Sequence, residues 1–153
     1  MVASIGSPAP DFSLYSQARE PVSLESLAGR KTLIVFIPFP FTGTCEGELC
    51  DLRDNMHQLD SMDANVVVIT CDTLAANAHW ATEEGFEFPI LSDFWPHGVV
   101  ATAYGCFDER LGCARRSTFV LDEESIVRDI IASDSMGRPR PIASYWDSLA
   151  ALV

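Results

Sequence analysis

Residues 31–50 read KTLIVFIPFPFTGTCEGELC, and the change of pattern inside this stretch decides the fold. KTLIVFI (31–37) is a continuous apolar run, as expected of a strand covered on both faces. Two prolines and the Thr-Gly-Thr of 42–44 then interrupt any regular structure. From Cys45 onward, apolar side chains recur at Leu49, Leu52, Met56 and Leu59, the spacing of one face of a helix. The stretch is therefore a strand, a stiff loop and a helix, with one thiol at the helix start and a second, Cys50, five positions later.

Outward from that unit, NVVVIT (65–70) repeats the buried-strand pattern. STFVLD (117–122) and SIVRDII (125–131) read as a hairpin turning through Asp122, Glu123 and Glu124. Helical patterns run over Leu74–Glu84 and Val99–Tyr104. A last helix is expected with Trp146, Leu149, Ala150 and Val153 lining one side, and GRPRP (137–141) reads as a plain loop before it. The opening APDFSLYSQAREPVSLESL suggests two short strands around a polar turn, then one helical turn. A β-α-β unit followed by a hairpin and a terminal helix is the order of a thioredoxin-type α/β sandwich. The expected sheet is mixed, with helices on both faces, and residues 1–153 are expected to form one domain.

Composition excludes several function classes. The chain has 10 basic and 22 acidic side chains, a formal net charge of −12. Nucleic acid and anionic membrane surfaces call for clustered Lys and Arg, so neither is expected as a partner. The longest apolar run is about half the ~20 residues of a membrane span. MVASIGSPAPDFSL shows neither a basic nor an apolar leader region, so a cytoplasmic protein is expected. The cysteines stand at 45, 50, 71, 106 and 113, an odd number without Cys-x-x-Cys. With the three histidines scattered, neither a disulfide framework nor a metal site is expected.

A thiol at a helix start meets the positive end of the helix dipole and unpaired backbone N–H groups. Both favour the thiolate, which is the nucleophilic form. Cys45 could instead simply begin the apolar helix face. The loop argues for reactivity: Pro38, Pro40 and three phenylalanines suggest a water-excluding collar, and Thr42 and Thr44 offer hydroxyls. Cys71, Cys106 and Cys113 read as structural thiols, which pack as small hydrophobes.

Pro38-x-x-x-Thr42-x-x-Cys45 resembles the active-site signature of the peroxiredoxins. The resemblance extends along the chain through APDFSL (9–14), FEFPILSD (86–93), AYG (103–105) and ARRSTFVLD (114–122). In detail FTGTCEGEL, LSDFWPHG and RSTFVLD are most similar to the AhpE-type one-cysteine branch. The resemblance implies that Cys45 attacks a peroxide and becomes a sulfenic acid. It implies that Arg116 stabilises thiolate and transition state, that Thr42 orients the peroxide, and that Pro38 shields the pocket. Glu48 matches a position that orients the arginine, although a solvated carboxylate at a helix start is the alternative. No cofactor is implied. The implied partners are a peroxide, a reductant (thioredoxin, a glutaredoxin-like protein or a small thiol) and a second copy in a homodimer.

Cys50 departs from the one-cysteine pattern. Cys-x4-Cys is similar to the PrxQ branch, in which the second thiol resolves the sulfenic acid as an intramolecular disulfide. On an intact helix, residues five apart have Cα atoms about 8–9 Å apart and project about 140° apart, whereas a disulfide needs about 7 Å or less. The first turn must therefore melt. Gly47 costs a helix about 1 kcal/mol relative to Ala, and with Thr44 taken as the cap no capping box secures the start. The alternative is an unreactive, partly buried thiol. Function classes left open are a thiol peroxidase and a peroxide-sensing or chaperone-like module; a general thiol–disulfide oxidoreductase is disfavoured by the missing Cys-x-x-Cys.

Overall fold

A computed structural model describes residues 2–152. The strand of residues 31–50 is β3 (Lys31–Phe36) and the helix is α2 (Gly43–Asp54). Before them come β1 (Ser13–Tyr15), β2 (Pro21–Ser23) and the single turn α1 (Leu24–Leu27). After them come α3 (Met56–Ser61), β4 (Ala64–Thr70), α4 (Leu74–Glu84) and β5 (Ile90–Ser92). Then follow α5 (Val99–Ala103), β6 (Phe107–Asp108), β7 (Cys113–Ala114), β8 (Ser117–Leu121), β9 (Val127–Ala132) and α6 (Ile142–Ala150).

The main sheet has the order β5-β4-β3-β8-β9. β3, β4 and β5 run parallel, β8 is antiparallel to β3, and β9 is antiparallel to β8. This is the expected mixed sheet with helices on both faces. Strand alternation divides the core: Leu33, Val35 and Ile37 face α2, α3, α4 and α6, while Ile34 and Phe36 face Phe12, Val100 and Tyr104. β3 lies at the centre, so its C-terminal end opens between layers, and the loop it feeds carries the thiol. No helix among the described residues is long and apolar enough to cross a membrane.

Four local expectations are corrected. The helix expected to run through Leu59 breaks at Asn55, whose backbone leaves the helical region while its side-chain amide donates to the Asp51 carbonyl. The apolar face nonetheless continues, because Leu52 and Leu59 join one core cluster. In α6 the buried residues are Tyr145 and Leu149; Ala150 faces solvent, and Val153 lies outside the described residues. β5, inside FEFPILSD, is a strand that the sequence pattern did not mark as one. The small β6–β7 hairpin was also unmarked, and it turns the chain into Arg116.

Candidate active site

The cap of α2 is Thr42, two residues earlier than Thr44, so Cys45 is the third residue of the first turn. Its backbone N–H is therefore among the donors that a helix start leaves unpaired. The expectation of a weakly secured start holds with this cap too: the Thr42 hydroxyl donates to the Phe39 carbonyl at 2.8 Å and gives the helix no side-chain cap. That bond uses the hydroxyl hydrogen and leaves the oxygen lone pairs free to accept. Thr44 donates instead to the Gly137 carbonyl, at 3.3 Å.

Pro38 and Pro40 are buried, as expected of a shield. The collar of phenylalanines is only partial, since Phe39 and Phe41 are 40% and 46% exposed. Phe36 belongs to the core of the opposite face. Phe36 is the last residue of β3, and strand alternation turns it away from the thiol.

Arg116, 71 residues along the chain from Cys45, directs Nη2 at its sulfur at 3.3 Å. The hairpin β6–β7 and strand β8 deliver it there. Cys45 is 0% and Arg116 3% exposed, so the pair meets where water screens little and a charge-assisted bond is strong. Arg116 is fixed on its other side by Nε and Nη2 bonds to the Met136 carbonyl (3.2 and 2.7 Å) and by an Nη1 bond to Glu48. Its neighbour Arg115 is exposed, and its guanidinium bonds the carbonyls of Gly105 and Phe107.

Glu48 is buried, not solvated, and it holds two arginines. Arg140 donates to it from the backbone N–H at 2.7 Å and from Nε and Nη2 at 2.9 Å each. Burial alone would push the Glu48 carboxyl up, but the hydrogen bonds and positive charge of Arg140, with Arg116 beyond, leave it below its ordinary range. Arg140 also reaches Thr118 at 2.9 Å, and Thr118 bonds the Tyr145 hydroxyl at 3.0 Å. This arginine is the functional neighbour that the sequence reading missed. It lies in GRPRP, taken for a plain loop, and no local signal distinguishes a buried loop arginine from a solvated one.

Cys50 sits on the same unbroken helix as Cys45, half-buried, with Sγ 3.9 Å from Glu84 Oε2 on α4. Desolvation raises its pKa, with the Glu84 carboxylate adding and Arg53 opposing. The two thiols are therefore not paired, and all five cysteines are free. Burial pushes Cys71 and Cys106 up to about 12 and Cys113 up to about 11. That shift favours the protonated thiol, the weaker nucleophile.

The described residues offer no cluster of three or more His, Cys, Asp or Glu that could hold a metal ion. What the arrangement supplies is a sulfur at a helix start, a cation bonded to it, and an acceptor-bearing Thr42 in the preceding turn. That is equipment for displacement at an electrophilic oxygen, where negative charge must be met by fixed donors.

Comparison with known proteins agrees. The chain is 43% identical to alkyl hydroperoxide reductase E of Mycobacterium tuberculosis over 150 residues, 97% of each chain. Its fold matches the crystal structure of peroxidoxin BcpB from Mycobacterium tuberculosis with a TM-score of 0.84 and 31% identity, covering 98% of this chain and 96% of that one. It matches the crystal structure of Enterococcus faecalis AhpC with a TM-score of 0.88 and 26% identity, covering 98% and 92%. The family model described as AhpC/TSA matches residues 5–130, which hold the strand–loop–helix unit and Arg116, and the chain accordingly belongs to the AhpC/TSA family and is a peroxiredoxin enzyme.

Proposed function

We propose that Cys45 is the peroxidatic cysteine of a thiol peroxidase that reduces hydrogen peroxide and organic hydroperoxides. The observation that carries this reading is the buried bond from Arg116 Nη2 to Cys45 Sγ. The thiolate attacks the outer peroxide oxygen, the O–O bond breaks, and water or an alcohol leaves. Cys45 is left as a sulfenic acid. Arg116 meets the charge that moves from sulfur onto the departing oxygen. Thr42, its own hydrogen committed to Phe39, accepts from the peroxide O–H. Pro38 offers no N–H to compete there.

Cys50 then resolves the sulfenic acid as a disulfide, with loss of water. A thioredoxin- or glutaredoxin-like protein or a small thiol restores both thiols, in a cytoplasmic homodimer. Melting is favoured at Gly47, which has open space around the position a Cβ would take. Gly47→Ala should therefore cause no clash, stiffen the first turn by about 0.5–1 kcal/mol and slow disulfide formation severalfold. Quenched intact-mass time courses measure this.

One equivalent of peroxide followed by intact-mass analysis tests the whole scheme. Loss of two hydrogens, abolished by Cys50→Ser, is the expected result. A persistent gain of one oxygen in the unaltered protein would remove Cys50 from the mechanism. Stopped-flow oxidation with hydrogen peroxide against organic hydroperoxides, and turnover with added reductant, test the peroxidase assignment itself.

A further inference from the structure

The first turn of α2 carries a contact that neither thiol chemistry nor the core requires. Trp80, on α4 and fully buried, donates its indole Nε1–H to Glu46 Oε1 at 3.1 Å. Glu46 directly follows Cys45. On the other side of the thiol, the Phe41 ring packs at a tilt against Trp80 and His79, with ring centroids 5.9 Å apart in each case. Phe41 holds a φ of +65°, a left-handed conformation that a bulky side chain adopts only when its surroundings compensate the strain. One tryptophan thus grips the chain on both sides of Cys45.

The grip ends where a stronger one begins. Glu48 is pinned by Arg116 and Arg140, and Cys50 stays beside α4 through Glu84. Unwinding from the N-terminus can release residues 43–47 and stop at Glu48. In that motion Cys45 travels and Cys50 waits.

We propose that Trp80, acting through Glu46 and Phe41, is a clamp that sets how fast oxidised Cys45 reaches Cys50. The inference rests on the reading of Cys50 as the resolving thiol. Two reactions compete for the sulfenic acid. In one, Cys50–SH and Cys45–SOH form the disulfide and water. In the other, a second peroxide oxidises Cys45–SOH to the sulfinic acid and is itself reduced to water or an alcohol. A held clamp favours the second, and a released clamp the first. Trp80 is a positioning residue, since it touches neither peroxide nor sulfur in the chemical step.

The test uses Trp80→Phe, which keeps a ring but loses the donor, Glu46→Ala, which loses the acceptor from the other side, and Glu46→Gln, which retains an acceptor. Each is oxidised with one equivalent of hydrogen peroxide, quenched with an alkylating agent and weighed. Trp80→Phe and Glu46→Ala should form the disulfide about tenfold faster, the factor of one lost charge-assisted hydrogen bond. They should show correspondingly less sulfinic acid under excess peroxide. Glu46→Gln, whose neutral acceptor keeps a weaker bond, should fall between the parent and Glu46→Ala, and the stopped-flow rate of Cys45 oxidation should stay within about twofold in all three, far below that tenfold change. Unchanged partitioning in both Trp80→Phe and Glu46→Ala overturns the clamp. Should the parent form no disulfide at all, the resolving role of Cys50 fails separately. In that case the clamp falls with it, and amide hydrogen exchange over residues 43–47 separates the two failures: faster exchange in Glu46→Ala means that Trp80 grips a turn with no resolving thiol to reach, and unchanged exchange means that it grips nothing.

Discussion

Cys45→Ser is expected to leave no measurable peroxide consumption, and Arg116→Met to lower the second-order rate constant by about 10²–10³-fold. The serine hydroxyl occupies the same place at the helix start but is a far weaker nucleophile at neutral pH. Methionine fills much of the arginine's volume while removing every donor that meets the sulfur and the developing oxygen charge. Arg115→Met is the control: its side chain is exposed and bonds the carbonyls of Gly105 and Phe107, so a change within about twofold is expected. Stopped-flow kinetics read the rates, and thermal melts confirm that the variants fold. An Arg116→Met rate equal to the parent's would refute the assigned role of the guanidinium.

Glu48→Ala is expected to destabilise the protein by about 3–5 kcal/mol, because it strips the shared counter-ion from two buried arginines. For a chain of this size that corresponds to a fall of about 6–20 °C in Tm. Activity should fall as well, since Arg116 loses one of the groups that aim it at Cys45. Acid should act on the same link. The folded carboxyl titrates below its ordinary value of 4.5, so below that value the unfolded chain binds the proton first. The stability from this pair is fully present at neutral pH and is lost as pH falls through the folded pKa. Glu48→Gln should therefore flatten the acid limb of the stability curve, measured by urea unfolding at stepped pH. A mutant as acid-sensitive as the parent would show that the network carries little of the stability.

Much of the fold was legible because its signals are local. The continuous apolar runs of β3 and β4 report burial on both faces, and the helical spacing after Cys45 reports a helix on that sheet. The break at Asn55 was hidden because the apolar spacing runs on across it. β5 was hidden because three residues are too few to show a period. Of the site, Cys45, Thr42, Pro38 and Arg116 came from the motif and its companions along the chain, and the structure brings Arg116 to the sulfur. Arg140 did not, and Glu48 was left between two environments. A carboxylate one turn into a helix looks the same in sequence whether water or two guanidinium groups surround it.

By itself the sequence determined that a strand, a loop and a helix follow one another, that Cys45 stands in the helix's first turn or at its edge, and that Gly47 lies just beyond; these follow from backbone propensity and side-chain period over a few residues, whereas the cap, Thr42, was settled by the fold. Only the tertiary structure decided what surrounds the thiol. Arg116 and Arg140 come to Glu48 from 68 and 92 residues away, and Trp80 comes to Glu46 from 34. Such pairings are set by how the sheet and its two helical layers close on one another, and no periodicity along the chain records them.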